Sequence, residues 1–176
     1  MEPLSPQLST AAILLLVAFV PMLFEARRSV ANERVLRAAG AVEPADDVYP
    51  AMQLVYPACF LAMVMEAWTR GGGFDGTALA GGLVFIGAKA LKYWAIGTLG
   101  DRWTFRVLVP PGSTRTLRGP FRILRHPNYV AVVGELLGFA MLARAPIAGA
   151  LGLAGFGALL LARIRVEEHA LGLRSR

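Results

Sequence analysis

The chain has 176 residues, of which 56% are hydrophobic and 17% charged, and its mean hydropathy is +0.53. Soluble domains carry about a quarter of charged residues, so this composition excludes one of the ordinary kind, and the apolar residues fall in blocks as they do in multi-spanning membrane proteins. The net charge of +6 does not point to nucleic acid: the arginines gather between apolar runs, where the positive-inside rule accounts for them, and no RNA-binding signature accompanies them.

The opening MEPLSPQLST lacks the basic region of a signal peptide, so the first apolar run, 8–24, is expected to remain as a span. Residues 25–47 mix Arg27, Arg28, Arg34 and Arg37 with Glu25, Glu33, Glu43, Asp46 and Asp47. Val30, Val35 and Leu36 add a modest apolar stripe, so a helix lying on the membrane surface and ending at Gly40 is predicted, with nothing in it that demands chemistry. The second span, 51–68, is expected to kink at Tyr56-Pro57 and to end at an interfacial Trp68, with Glu66 reaching toward headgroups. Cys59 lies inside this run, so neither a disulfide framework nor a cysteine metal cluster is expected. Arg70-Gly71-Gly72-Gly73 makes an outer turn.

The third span covers 77–99. Lys89 and Lys92 share one helical face, where they either snorkel to the boundary or face a substrate carboxylate. Residues 100–126 then carry Arg102, Arg106, Arg115, Arg118, Arg122 and Arg125 against Asp101 as the one acid, broken by Pro110-Pro111-Gly112. Within this loop WTFRVLV is apolar enough to lie along the membrane surface or line a lipid entrance. The fourth run, 130–143, gives a helix of about 21 Å against a bilayer core of about 30 Å. After Arg144-Ala145-Pro146 it forms a hairpin with the fifth run, 147–162, whose Gly149, Gly152, Gly155 and Gly157 allow close helix contact. Glu135, inside the fourth helix, is costly unless it is paired or faces a polar cavity, and either role is open.

Arginine placement sets the orientation. The first connector, the third connector and the tail (Arg163, Arg165, Arg174, Arg176) are rich in arginine, whereas the other side holds only Arg70 and Arg144. Five spans with an outer N-terminus and a cytoplasmic tail follow, placing Ser113 and Ser175 inside and Gly72 outside. The fold class is therefore an all-α, multi-spanning membrane protein in one domain, 1–176. Residues 1–99 are N-terminal spans; 100–176 hold a polar loop, a helical hairpin and the tail.

Two segments concentrate polar chemistry. The first is LRGPFRILRHPNY, 117–129, in which Pro127 restricts His126 to extended geometry and opens the next helix. His126 is thus placed where backbone N–H groups have no partner within the helix. The second is Arg163-Ile164-Arg165-Val166-Glu167-Glu168, where the fifth helix continues past the membrane boundary. There Arg163, Glu167 and Leu171 share a face, which by itself amounts to an i, i+4 pair on a helix end.

Together these segments resemble the signature of the isoprenylcysteine carboxyl methyltransferase family: Gly-Pro-aromatic, three residues, Arg-His-Pro-x-Tyr, then Arg-x-x-x-Glu-Glu after one hairpin. Phe121 stands where a tyrosine is common, and 93–107 and 40–50 also look like bacterial members. The resemblance implies an integral membrane enzyme of the cytoplasmic membrane that uses S-adenosyl-L-methionine. It implies a cytoplasmic cofactor pocket of Gly119, Pro120, Arg125, His126, Pro127, Tyr129, Glu167 and Glu168, without a metal. Arg163, with Glu167 as its partner, would orient the nucleophile. The acceptor would be a carboxylate or hydroxyl oxygen of a lipophilic molecule, such as an isoprenylcysteine-like carboxylate or an alkylpyrone or phenolic lipid, with membrane lipids as surroundings. A phospholipid or amine N-methyltransferase, a non-enzymatic scaffold or transporter, and a sterol-reductase-like enzyme using NADPH are the alternatives.

Overall fold

The computed structural model describes residues 6–44, 47–71, 73–112 and 116–170. Asp46, Gly72, Ser113, Arg115, Leu171, Arg174, Ser175 and Arg176, which enter the expectations above, lie outside the described residues. Five α-helices follow one another: α1 (Pro6–Ala38), α2 (Tyr49–Arg70), α3 (Gly76–Leu99), α4 (Pro127–Leu142) and α5 (Pro146–Ala170). Single 3-10 turns at Gly100–Arg102 and Gly119–Arg122 shape the long α3–α4 loop. Among the described residues there is no strand, only an isolated antiparallel bridge between Val42 and Val109.

Four of the helices are long and apolar enough to cross a membrane, and α4 is a shorter apolar helix. Large apolar side chains such as Ile13, Leu16, Leu54, Ile86 and Leu151 lie on the outside, as a lipid solvent permits. The protein is an integral membrane protein.

The first connector departs from expectation. No separate surface helix begins after Phe24; α1 runs unbroken through Pro21 for 33 residues, about 50 Å at 1.5 Å per residue. The cause is a continuous buried face. Ala11, Leu14 and Ala18 bury its apolar half, and Glu25, Ser29, Asn32 and Leu36 continue the same stripe as a mostly polar face. That second half packs against protein, which is why it does not lie on a bilayer.

Two small-residue contacts set the helix spacing. A Cβ on Gly81 of α3 would come within 2.3 Å of the Leu142 amide nitrogen, and one on Gly138 of α4 within 2.5 Å of the Phe85 nitrogen. The tightest of these approaches is therefore α3 on α4, rather than the α4–α5 hairpin. In that hairpin Gly149 does abut Ala140, but Gly152 meets Cys59 of α2, and Gly155 and Gly157 have open space beside them.

The bundle has two different ends. At one, Glu66 of α2 accepts hydrogen bonds from Ile147 N and Ala148 N, 3.2 and 2.6 Å, so it caps α5 instead of reaching for headgroups. Asp75 caps α3 through Ala78 N and pairs with Arg144 at the same end. The other end gathers the second half of α1, the 39–48 connector, the α3–α4 loop and the end of α5.

Candidate active site

The site begins with a turn that only glycine permits. Gly119 has φ +54°, and a Cβ there would lie 2.2 Å from Thr98 Oγ1, so the Gly119-Pro120 step packs directly on the last turn of α3. Pro120 is buried, and its carbonyl accepts from Ile123 N and Leu124 N. The chain then enters α4 with His126 as the flanking residue and Pro127 in the first turn. The His126 carbonyl accepts from Tyr129 N and Val130 N, at 3.1 and 3.2 Å.

This entry sets two rings face to face: His126 stacks on Tyr129 with centroids 5.4 Å apart. Both then meet the tail. Tyr129 donates its hydroxyl to Glu167 Oε2 at 2.5 Å, and His126 Nε2 lies 3.3 Å from Glu168 Oε1. Arg125 Nη1 is 3.2 Å from the same Glu168 oxygen. Signature loop and tail, 38 residues apart between Tyr129 and Glu167, form one polar cluster.

Arg163 joins this cluster at Tyr129, with which it shares a side-chain hydrogen bond, and also reaches beyond it. Its side chain is buried and its guanidinium bridges the Asp47 carboxylate and the Phe105 carbonyl. Asp47 also accepts from Tyr49 N (3.0 Å) and Val107 N (3.1 Å), so the connector, in which the sequence shows nothing that demands chemistry, is a structural clamp on Arg163. The loop it grips is held from below by α1. Asn32 donates to the Gly100 and Trp103 carbonyls, 3.1 and 2.7 Å, and Ser29 Oγ accepts from Phe105 N at 2.8 Å. Trp103 and Val107 are buried by these bonds instead of lying along the membrane surface. Arg106 completes the frame, 2.6 Å from Glu43, 3.3 Å from Glu33 and 4.6 Å from the Tyr49 ring centroid. Partial burial raises the Glu43 carboxyl, but hydrogen bonds from Arg37 and Arg106 outweigh it and hold its pKa below the ordinary value.

Two cavities open from this frame. The outer one is lined by Trp103, Phe121, His126, Pro127 and Glu167, among others. The inner one is mostly apolar, between Met22, Met52, Val132, Phe156 and Leu160, with Tyr56 and Lys92 also on its wall. Thr104, Asn128, Tyr129 and Arg163 line both. Among the described residues Trp103 Nε1 and Asn128 Oδ1 are buried without a hydrogen-bond partner, a donor and an acceptor left for a ligand. With the Glu167 carboxylate and the Tyr129 ring, this set suits a small molecule carrying hydroxyls, an amine and an aromatic base.

Glu135 is resolved as a paired charge. Lys89 Nζ lies 2.8 Å from Glu25 and 3.1 Å from Glu135, and Lys92 Nζ 2.7 Å and 3.3 Å from the same two carboxylates. Tyr56 donates its hydroxyl to Glu135. Both lysines are thus held inside the bundle rather than snorkelling, and Glu25 belongs to this cluster, not to a helix on the membrane surface. Among the described residues no group of three His, Cys, Asp or Glu side chains could hold a metal ion.

Asp47, Ser29, Asn32, Trp103 and Asn128 were not singled out by sequence. A signal for two of them exists: Glu25, Ser29, Asn32 and Leu36 recur at the three-to-four spacing of one helical face.

Membrane-crossing helices with a polar cavity at one end, walled by a basic loop and an acidic helix end, define a helical membrane protein with a candidate site at one end of the bundle. Residues 80–172 match the isoprenylcysteine carboxyl methyltransferase (ICMT) family, and the chain belongs to that family. It is 30% identical over 159 residues to the uncharacterized protein YpbQ of Bacillus subtilis, covering 89% of this chain and 95% of YpbQ. It is 27% identical over 144 residues to an uncharacterized protein of Haemophilus influenzae, covering 81% of this chain and 84% of that protein. No solved structure matches the chain. Family membership makes it a membrane protein of methyltransferase type.

Proposed function

We propose that the protein transfers a methyl group from S-adenosyl-L-methionine to an oxygen atom of a lipophilic acceptor at the cytoplasmic face of the membrane. The observation that carries this reading is the meeting of a polar outer cavity and an apolar inner one at Tyr129 and Arg163. A water-soluble cofactor and a lipid acceptor need separate approaches to one reacting point, and those residues stand at such a point. Bound in the outer cavity, the cofactor would supply an electrophilic methyl group on a sulfonium.

The remaining work falls to the chain. Glu167 is the group to accept the ribose hydroxyls, with Glu168 and Arg125 supporting His126 behind it. Tyr129 offers an aromatic face, which attracts a nearby cation, and Gly119 and Pro120 fix the loop that carries these side chains. Arg163, immobilised by Asp47 and the Phe105 carbonyl, keeps further N–H donors of its planar fork for the acceptor oxygen. Holding nucleophile and methyl carbon in line is the main contribution a protein makes to such a displacement. The cytoplasmic assignment follows from the arginines around the site end (Arg27, Arg28, Arg34, Arg102, Arg118, Arg122), all exposed.

Calorimetric titration of the purified protein with S-adenosylhomocysteine tests this function. Saturable binding that His126→Ala and Tyr129→Ala each weaken by at least about tenfold (1.4 kcal/mol) is expected. Wild-type protein that does not bind it ends the proposal.

A further inference from the structure

Four buried side-chain atoms lack a hydrogen-bond partner among the described residues: Glu25 Oε2, Glu135 Oε1, Trp103 Nε1 and Asn128 Oδ1. The two carboxylate oxygens are accounted for inside the bundle, because Lys92 Nζ stands 2.7 Å from the first and 3.3 Å from the second. Trp103 and Asn128 are neutral, so no ion pair stands in for the missing bond. Burying a polar atom unbonded is unfavourable, and both side chains line the outer cavity. One offers a donor, the only role an indole N–H has, and the other an acceptor.

Much of the wall around them is apolar. Leu99, Val107, Leu108, Val109 and Phe121 line the same cavity, and Trp103 is only 2% exposed. A single neutral N–H in such a place does not offset the desolvation of a carboxylate, nor a single amide oxygen that of an ammonium. The charged groups of the cofactor belong with charged side chains of the wall, such as Arg102, which is exposed. What suits the buried donor and acceptor is a flat, neutral heterocycle, the adenine base. Its N6 amine and N1 form the edge furthest from the ribose. With the ribose hydroxyls on the partly exposed Glu167, that edge reaches deepest.

Resting on the cofactor binding proposed above, we infer that Trp103 and Asn128 read the adenine base: Trp103 Nε1–H donates to N1, and Asn128 Oδ1 accepts from the N6 amine. The consequence is selection between nucleosides. Hypoxanthine, the deaminated counterpart of adenine, carries an N1–H donor and an O6 acceptor, the reverse pattern. Asn128 can turn its amide over to meet O6, but an indole has no acceptor to offer N1–H. Trp103 is therefore the discriminating residue. A site built on specific hydrogen bonds rejects an analogue that leaves its buried polar groups unpaired.

Calorimetric titration of the full-length protein in detergent with S-adenosylhomocysteine and with S-inosylhomocysteine tests this reading. Wild type should bind the inosyl compound at least about tenfold more weakly (1.4 kcal/mol). Trp103→Phe keeps an aromatic body and removes the N–H, so the ratio should narrow to within about threefold. Asn128→Asp fixes an acceptor in the first turn of α4, where an acid is well placed. It leaves O6 without a donor, so the ratio should widen by at least about threefold. A purely structural role for either residue would weaken both compounds together and leave the ratio unmoved. A wild type that binds S-adenosylhomocysteine with a ratio below about tenfold overturns this inference alone. A folded Trp103→Phe that keeps the wild-type ratio overturns it as well. If Trp103→Phe does not fold, Asn128→Asp decides, and an unchanged ratio there overturns the inference. Failure of the wild type to bind S-adenosylhomocysteine overturns the methyl-transfer function, and this inference with it.

Discussion

The Tyr129 hydroxyl donates to Glu167 at 2.5 Å, fastening the first turn of α4 to the last turns of α5. The bond is made possible by Pro127, which starts α4 immediately after His126, and by a hairpin that returns the chain to the same end of the bundle. Tyr129 has two separable functions here, a ring stacked on His126 and a hydroxyl on Glu167. Tyr129→Phe removes only the second and Tyr129→Ala both. S-adenosylhomocysteine affinity should therefore fall from wild type to Phe to Ala. Equal affinity in all three would place the cofactor elsewhere.

Orientation is tested at residues that the two ends expose. Gly73 lies at the end capped by Glu66, and Leu117, 65% exposed, lies in the basic loop. Cys59 is buried and free, so an introduced cysteine is the group that a membrane-impermeant maleimide reaches. In intact cells Gly73→Cys should be labelled and Leu117→Cys should be spared until the membrane is opened. Labelling of position 117 from outside would put the site on the wrong side for its cofactor.

Gly119→Ala tests how the loop is anchored. The substitution meets both a positive φ of 54° and a contact of 2.2 Å with Thr98 Oγ1. Backbone strain of this kind costs about 1–3 kcal/mol, so the thermal midpoint should drop and S-adenosylhomocysteine binding should weaken with it. Adding Thr98→Ala removes the contact but not the φ penalty, so recovery should be partial. Full recovery would show that the dihedral costs nothing here.

How much of this was legible in the sequence divides along physical lines. The spans were readable because apolar length is a one-dimensional property: α2 and α3 begin and end, and α5 begins, within a few residues of the hydropathy blocks. The loop–tail pairing was readable because a short hairpin leaves its two ends little choice of position. The role of residues 25–47 was not. A run of mixed charges looks alike whether it meets water or buried partners, and Glu25 and Asp47 find theirs 64 and 116 residues away, at Lys89 and Arg163. Only the spacing of Glu25, Ser29 and Asn32 hinted at a buried face.

Acid should loosen the frame around the site. Arg37 and Arg106 hold the Glu43 carboxyl below its ordinary pKa against the opposing effect of partial burial. A folded-state value below the unfolded one means that the bridge stabilises fully above the ordinary glutamate value and is lost as pH falls through the lower one. Glu43 adjoins Val42, whose amide and carbonyl pair with Val109 at 3.1 and 3.0 Å. Amide exchange at Val42 and Val109, corrected for intrinsic rates, should accelerate over that acid interval. Glu43→Gln should already exchange faster at neutral pH and lose the acid step. Unchanged protection through the interval would show that the bridge contributes nothing.

Arg163 separates a strut from an acceptor-orienting group. Its fork reaches Asp47 and the Phe105 carbonyl at once, in a place where both charged side chains are at most 6% exposed. Asp47→Asn leaves the guanidinium charge uncompensated, a loss of about 3–5 kcal/mol for a buried pair. Arg163→Lys keeps the charge and can reach only one of the two partners, so its cost is nearer a single hydrogen bond, about 1 kcal/mol. If Arg163 also holds the acceptor oxygen in line, Arg163→Lys should reduce turnover on a lipophilic acceptor far more than it reduces stability. S-adenosylhomocysteine affinity should change little, because an interaction made only in the transition state appears in turnover. Thermal unfolding, calorimetry and steady-state kinetics on the same preparation give the three numbers. An Arg163→Lys enzyme with wild-type turnover would leave Arg163 as a brace between connector and loop.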